Sequence, residues 1–278
     1  TLLLVGGCGG WRVVLEPTVL PDAITERTVI DESAGDLSAP KVAMIHVTGL
    51  IADAPGGLLG NGPNPVAKLA RELDRAAGDG RVRAVVLRVS SRGGTVTGSD
   101  LVHREVMRFR ERTGKPVVVV LGEVAASGGY YLACAGDEII AHPTTITGSI
   151  GVIMQTVQAG SALERLGIEA EAITSGPNKA MGAPLGRPDP DHRALMQSMV
   201  DEFAARFVDV VRTARPGIDP ADLAEVTDGR VVTGRRAHEL GLVDRLGDER
   251  DAFDRARVLA GIERARLVRY VRPGSRDR

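Results

Sequence analysis

The chain has 278 residues, with 35 Lys and Arg against 36 Asp and Glu, for a formal net charge of −1. Hydrophobic residues make up 43% and charged ones 26%, ordinary for a globular protein long enough to bury a core without disulfide or metal staples. Charges of both signs are interspersed and no basic run offers the clustered cationic face a polyanion needs, so no nucleic-acid partner is expected. Aromatics are only 3%, which leaves packing to Leu, Val, Ile and Ala.

In chain order, TLLLVGGCGG reads as the tail of an apolar segment ending in small residues before a cysteine. It resembles the lipobox of bacterial lipoproteins, Val5-Gly6-Gly7 before a lipidated Cys8; the stump of a transmembrane helix is the equal alternative. Either reading sets the domain on the extracytoplasmic side of a bacterial cell membrane, held by a transmembrane helix or by the lipid on Cys8. No apolar run approaches the ~20 residues a complete span needs. Residues 9–40 read as a linker with one strand, so residues 1–40 are expected to be an anchor remnant and linker, and 41–278 a single domain.

KVAMIHVTGLI (41–51) reads as a buried strand, and PVAKLARELDRAAGDG as an amphipathic helix opening at Pro65 and stopped by glycine. RVRAVVLRVS is a second strand, SRGGTVTGSD a glycine-rich loop and LVHREVMRFRERTG a second helix. PVVVVLG (116–122) is near-continuously apolar, as in a strand covered on both faces. A short helix follows from Ser127 to Ala135, then a strand around Glu138–Ala141 and a loop ending at Gly148-Ser149. Cys134, inside that short helix, reads as a small buried hydrophobe, and no disulfide with Cys8 is expected. IEAEAITSG reads as a further strand, Asp189–Ala214 as the longest helix, and a shorter helix begins near Asp219-Pro220. Residues 230–248 give a strand, a helix and a short return strand, before a last helix to about Gly261. Alternation of strands and helices argues for α/β architecture with parallel strands.

Three glycine-rich spots follow strand ends, where such folds hold their sites: Arg92-Gly93-Gly94, Ser127-Gly128-Gly129 and Gly148-Ser149-Ile150-Gly151. Glycine there lets backbone N–H groups approach a ligand closely. A serine opening a short helix sits at its positive end, which favours a developing anion, although capping serines share that pattern.

Taken together and in order, VSSRGGTV, EVAASGGYYLACAGDEIIAHPTTITGSIGVI and ITSGPNKAMGAP resemble the signal peptide peptidase A family (peptidase family S49) of the ClpP/crotonase superfamily. The resemblance spans roughly residues 41–260. It implies a ClpP/crotonase-like fold of repeated ββα units and a serine endopeptidase with a serine–lysine dyad. Carried over residue by residue, the nucleophile falls on Ser127, the general base on Lys179, and the serine that orients the lysine on Ser149. The oxyanion donor of the first glycine loop falls on the Gly93-Gly94 pair, with the Ser127 N–H beside it. One position departs from the family: its usual proline before the two glycines is Arg92 here. The resemblance also implies a ring-shaped homo-oligomer in which Ser127 of one protomer works with Lys179 of its neighbour. Expected substrates are remnant signal peptides and other short or unfolded apolar peptides. No metal or organic cofactor is implied.

The chemistry suits the residue types, because a serine hydroxyl needs a base to become a nucleophile. A lysine serves once burial disfavours its charge. Among the histidines, His142 is the alternative base, close to Asp137 in sequence. Two other readings stand beside the protease: a crotonase-like coenzyme A thioester enzyme, and an inactive scaffold relative.

Overall fold

The structure is a computed structural model, which describes residues 2–5, 12–15, 25–33, 35–36, 38–56 and 62–271. Residues 6–11, Cys8 among them, lie outside the described residues, whereas Leu2–Val5 at the start of that motif are described. The amino-terminal strands are β1 (Leu2–Val5), β2 (Arg12–Leu15) and β3 (Thr25–Asp31). The body begins with β4 (Lys41–Thr48), α1 (Pro65–Gly78), β5 (Val82–Ser91), α2 (Val96–Thr113) and β6 (Val117–Ala126). Then come α3 (Gly128–Ala133), β7 (Glu138–Ala141), β8 (Ile146–Gly148) and α4 (Gly160–Arg165). A 3₁₀ turn (Pro177–Ala180) precedes α5 (Pro190–Ala214), α6 (Pro220–Val226), β9 (Val231–Thr233) and α7 (Gly234–Glu239). The chain closes with β10 (Arg245–Leu246), α8 (Glu249–Leu259) and β11 (Arg266–Val271).

One sheet organises the body, in the order β10-β7-β6-β5-β4-β11-β3, with β8 added beside β6 and β9 beside β8. All neighbours from β10 to β11 are parallel; β3 closes the far edge antiparallel to β11. Parallel strands need helical crossovers, and those crossovers cover both faces, which explains the apolar runs. In β4, Ala43, Ile45 and Val47 join the core under α1, α2 and α3, while Val42 and Met44 face Phe253 and Ala256 of α8. In β6 the alternation is Val119 and Leu121 against Val118 and Val120. Each of the larger side chains here (Val, Leu, Ile, Met and Phe), fully buried, contributes about 1.5–3 kcal/mol.

Local signals end the helices where the sequence suggests. Asn64 caps α1 by accepting from the Val66 and Ala67 N–H groups, Thr95 caps α2, and left-handed Gly114 (φ 64°) stops α2. Lys41, at the start of β4, is only 2% exposed; its ammonium donates to Glu26 of β3 at 2.6 Å and to Asp79, just past α1, at 2.9 Å.

Two expectations are corrected. IEAEAITSG (168–176) is not a strand: it has no regular structure and is exposed almost throughout, with Ile173 96% exposed. Among the described residues no neighbouring strand pairs with it. Conversely, β11 lies beyond the last expected helix, yet runs beside β4 as the strand next to the sheet's edge.

Candidate active site

The parallel ladder between β6 and β8 ends with Ala126 opposite Gly148. The next residues along each strand, Ser127 and Ser149, therefore emerge side by side, on backbones about 4.8 Å apart. Both leave the ladder in left-handed backbone conformation, each at φ 52°, and among the described residues they are the only non-glycines with positive φ. Ser127 has φ 52° and ψ −123°, the first central position of a type II′ turn, ordinarily glycine's. The conformation costs on the order of 1–3 kcal/mol, and strain of this kind clusters at active sites. It turns the chain from β6 into α3 so sharply that the partly exposed Ser127 hydroxyl makes no helix-capping bond. Hydrogen bonds hold the turn: the Ser127 N–H donates to the Gly148 carbonyl (2.8 Å), and the Ser149 N–H to the Arg230 carbonyl (2.7 Å).

The loop after β5 is stitched to the loop after β4. The Ile51 N–H donates to the Gly93 carbonyl (3.0 Å) and the Thr95 N–H to the Ile51 carbonyl (2.9 Å). Ser91 Oγ donates to the Gly49 carbonyl at 2.5 Å and accepts the Gly93 N–H at 3.0 Å. Gly93 has φ 102°, and a Cβ there would lie 2.7 Å from the Gly128 nitrogen and 3.0 Å from Ser127 Cβ. Its missing side chain is what keeps the space above the Gly128 N–H open. A Cβ on Gly94 would stand 1.7 Å from the Ile51 carbonyl oxygen, and one on Gly128 2.1 Å from Ser99 Oγ. Gly94 is required by close packing of backbone on backbone, and Gly128 by the Ser99 side chain packed against it.

The Ser127 N–H, expected as an oxyanion donor, is thus already bonded to Gly148, and the Gly93 N–H to Ser91. The bridge between Ile51 and Gly94 uses the groups flanking Gly94, so Gly94 directs its own N–H away from Ile51. Gly94 is exposed, and its N–H and that of Gly128 have no acceptor among the described residues.

Lys179 lies apart from this arrangement. It sits on the 3₁₀ turn, exposed, with its N–H donating to the Gly176 carbonyl at 3.1 Å. Among the described residues no hydrogen bond joins it to Ser127 or Ser149. The turn belongs to a projecting segment, residues 151–186, that carries Ile153, Val157, Leu166 and Ile173 at 86%, 73%, 74% and 96% exposure. The segment holds itself together: the Ala159 N–H donates to the Pro184 carbonyl (2.7 Å), and Gly160 packs on the Gly186 backbone. His192, on α5, bonds the Pro177 carbonyl through Nε2 at 3.0 Å and so braces the lysine's turn. The alternative base, His142, is exposed and its Nδ1 bonds Thr144 Oγ1 at 2.8 Å. Asp137 is taken up by Arg110 and by the Val117 N–H (2.8 Å), so the two form no relay.

Sequence reading missed a polar group behind α3. The Tyr131 hydroxyl donates to Asp100 of α2 (2.9 Å), and Arg206 of α5 donates to the same carboxylate (2.5 Å). Burial opposes the Asp100 charge, but these bonds outweigh it and hold the carboxyl below its ordinary range. Burial pushes the Tyr131 hydroxyl up to about 12. His103 meets the Tyr131 ring edge-on at 5.3 Å, and burial brings its pKa from 6.5 down to about 4, against the pull of Asp100. The folded protein therefore resists a proton that the unfolded chain accepts, and His103 costs stability as pH falls from 6.5 toward 4. Between pH 7 and pH 5 the unfolding free energy is expected to drop by about 2 kcal/mol through this group. Urea unfolding at pH 5, 6 and 7 checks this, since His103→Phe should flatten the dependence; an unchanged slope would assign it elsewhere.

The family model for peptidase family S49 matches residues 110–263, more than half the chain and all of Ser127, Ser149 and Lys179. This chain belongs to peptidase family S49. The S49 protease is 34% identical over 223 residues to slr0021 of Synechocystis sp., a protease by name, covering 80% of this chain and 76% of that protein. It is 32% identical over 241 residues to the chloroplastic serine protease SPPA of Arabidopsis thaliana, covering 84% of this chain but 35% of that one. Protease 4 of Haemophilus influenzae is 32% identical over 221 residues, covering 79% of this chain. The chain spans only about a third of that protein's length, 35%. Among solved structures, a mutant form of the 1510-N membrane-bound stomatin-specific protease aligns with TM-score 0.51 and 15% identity. That alignment covers 78% of this chain and 84% of that one. The likeness shows the fold, the ClpP-like fold expected from the motifs.

Proposed function

We propose that this S49 protease is a membrane-tethered endopeptidase that cleaves remnant signal peptides and other short or unfolded apolar peptides with a Ser127–Lys179 dyad. The observation that carries the reading is the Ser127 elbow: a strained, partly exposed serine at a strand end, with Gly93 packed against it. In this mechanism the neutral Lys179 amine takes the proton of the Ser127 hydroxyl as its oxygen attacks the peptide carbonyl. The oxyanion forms beside the Gly93-Gly94 loop and the Gly128 N–H, where fixed donors stabilise developing charge. Lys179 then hands the proton to the leaving amine, and water resolves the acyl-enzyme by the same route. Ser149, one strand away from Ser127, orients the amine.

The exposed lysine and the apolar residues around it favour a site shared between protomers of a closed homo-oligomeric ring. Large apolar side chains exposed along one segment, as Ile153, Val157, Leu166 and Ile173 are, suit an interaction site. Anchoring through the amino-terminal end belongs to the same proposal; among the described residues no helix is long and apolar enough to cross a membrane.

The test mixes two dead variants. Ser127→Ala and Lys179→Ala are each expected to be inactive on an apolar fluorogenic peptide. A co-refolded equal mixture should regain about a quarter of wild-type activity, because each site in a head-to-tail ring draws on two neighbours. A mixture as dead as its parts would put the dyad within one protomer. An active Lys179→Ala would remove the lysine from the mechanism.

A further inference from the structure

Directly beside the Ser127 elbow lies a cleft of about 390 Å³, whose walls include Gly49, Leu50, Arg92, Gly93, Glu123 and Val124. Gly93 is common to both places, since it also packs against Ser127. Leu50, 70% exposed, supplies an apolar wall. Arg92 and Glu123 line the cleft from different strands: Arg92 from the loop ending β5, Glu123 from β6. Both are exposed, and neither has an ion-pair or hydrogen-bond partner among the described residues.

The position of Glu123 follows from an irregularity in the sheet. Val89 pairs with Leu121, but Ser91, two residues on, pairs with Ala125, four residues on. The β6 strand therefore carries two extra residues at Gly122–Val124, opposite Ser90. Gly122 lets this bulge settle onto Ser90, where a Cβ would come within 3.0 Å of the serine side chain. A bulge next to an active site re-aims a side chain that regular pleating would point elsewhere. Here it leaves Glu123 lining a cleft four residues before Ser127.

We propose that Arg92 and Glu123 make this cleft a charge-reading subsite for the peptide substrate, resting on the protease reading above. An extended peptide attacked at Ser127 lays its flanking side chains along the loop after β5. Arg92 favours an acidic side chain at one of these positions, and Glu123 a basic one at another. The substrate class is then narrower than apolar peptides: an apolar stretch with charged residues of fixed sign beside the cleaved bond. Both groups are exposed, so each discriminates about three- to fivefold, as expected for solvent-screened pairs.

The test uses the full chain and a fixed apolar peptide in which each position flanking the cleaved bond carries Asp, Lys or Leu in turn. The readout is the ratio of kcat/KM for the Asp and Lys peptides within each enzyme, so overall losses of activity cancel. Wild type should prefer Asp at one position and Lys at another. Arg92→Glu should invert the first preference alone, Glu123→Lys the second alone, and both should fade at high salt. Cleavage with ratios near one, or ratios that neither reversal moves, overturns the subsite and leaves the protease intact. Failure of wild type to cut any peptide of the set, neutral ones included, removes both readings together.

Discussion

Replacing Ser127 by alanine is expected to lower kcat/KM on an apolar peptide by at least ~10³-fold, leaving unfolding free energy within about 0.5 kcal/mol of wild type. The two readouts separate because the hydroxyl makes no helix-capping bond. What holds position 127 is backbone: its N–H on Gly148, and its carbonyl accepting the Tyr131 N–H at 2.9 Å. Alanine keeps those bonds and the same strained torsions. Ser127→Gly should be equally inactive but about 1 kcal/mol more stable, since glycine adopts φ 52° freely and part of that relief is returned as unfolded-state entropy. Denaturant titration of the three proteins beside a peptidase assay settles it. An active alanine variant would take nucleophilic attack away from Ser127; a glycine variant no more stable would mean that the elbow stores no strain.

Gly93→Ala should cost about 10²–10³-fold in kcat, the size associated with losing one oxyanion donor, at a stability cost of about 1–3 kcal/mol. The new methyl would sit 2.7 Å from the Gly128 nitrogen, in the space an oxyanion would need, and 3.0 Å from Ser127 Cβ. It would also be forced onto a backbone at φ 102°. KM should change much less than kcat, because the space is needed by the transition state and not by the bound peptide. Gly80→Ala is the control: nothing lies within 4 Å of its would-be Cβ, and activity should not change. If Gly93→Ala raised KM with kcat intact, the first glycine loop would be a binding rim with no part in charge stabilisation.

Much of this architecture was legible because burial leaves a local trace. The runs in β4, β5 and β6 announce strands covered on both faces, and Asn64, Pro65 and Gly114 announce where helices begin and end. Periodicity records whether a residue is buried, but not by what. RLVRYV carries charges at Arg266 and Arg269, and nothing local says that it pairs with β4, more than two hundred residues earlier. The 168–176 segment has the opposite fault, a strand-like alternation with no neighbour among the described residues to complete it. Ser127, Ser149 and Lys179 stand out as candidates through motif order and spacing, not through any property of each residue alone. The elbow torsions, the β6 bulge that displaces Glu123 and the meeting of Asp100, Tyr131 and Arg206 from three helices exist only in three dimensions.

The antiparallel strand β3 has a further consequence for the health of the folded protein. Without it, β11 would present an open row of amide and carbonyl groups, a template on which another chain could add itself. β3 occupies that row and carries the exposed charges of Arg27 and Asp31, which discourage further stacking. Lys41 is the rivet, since its buried ammonium binds Glu26 and would otherwise face Asp79 alone. The guard against runaway strand addition is thus set by residues 25–31, outside the stretch in which the catalytic motifs lie.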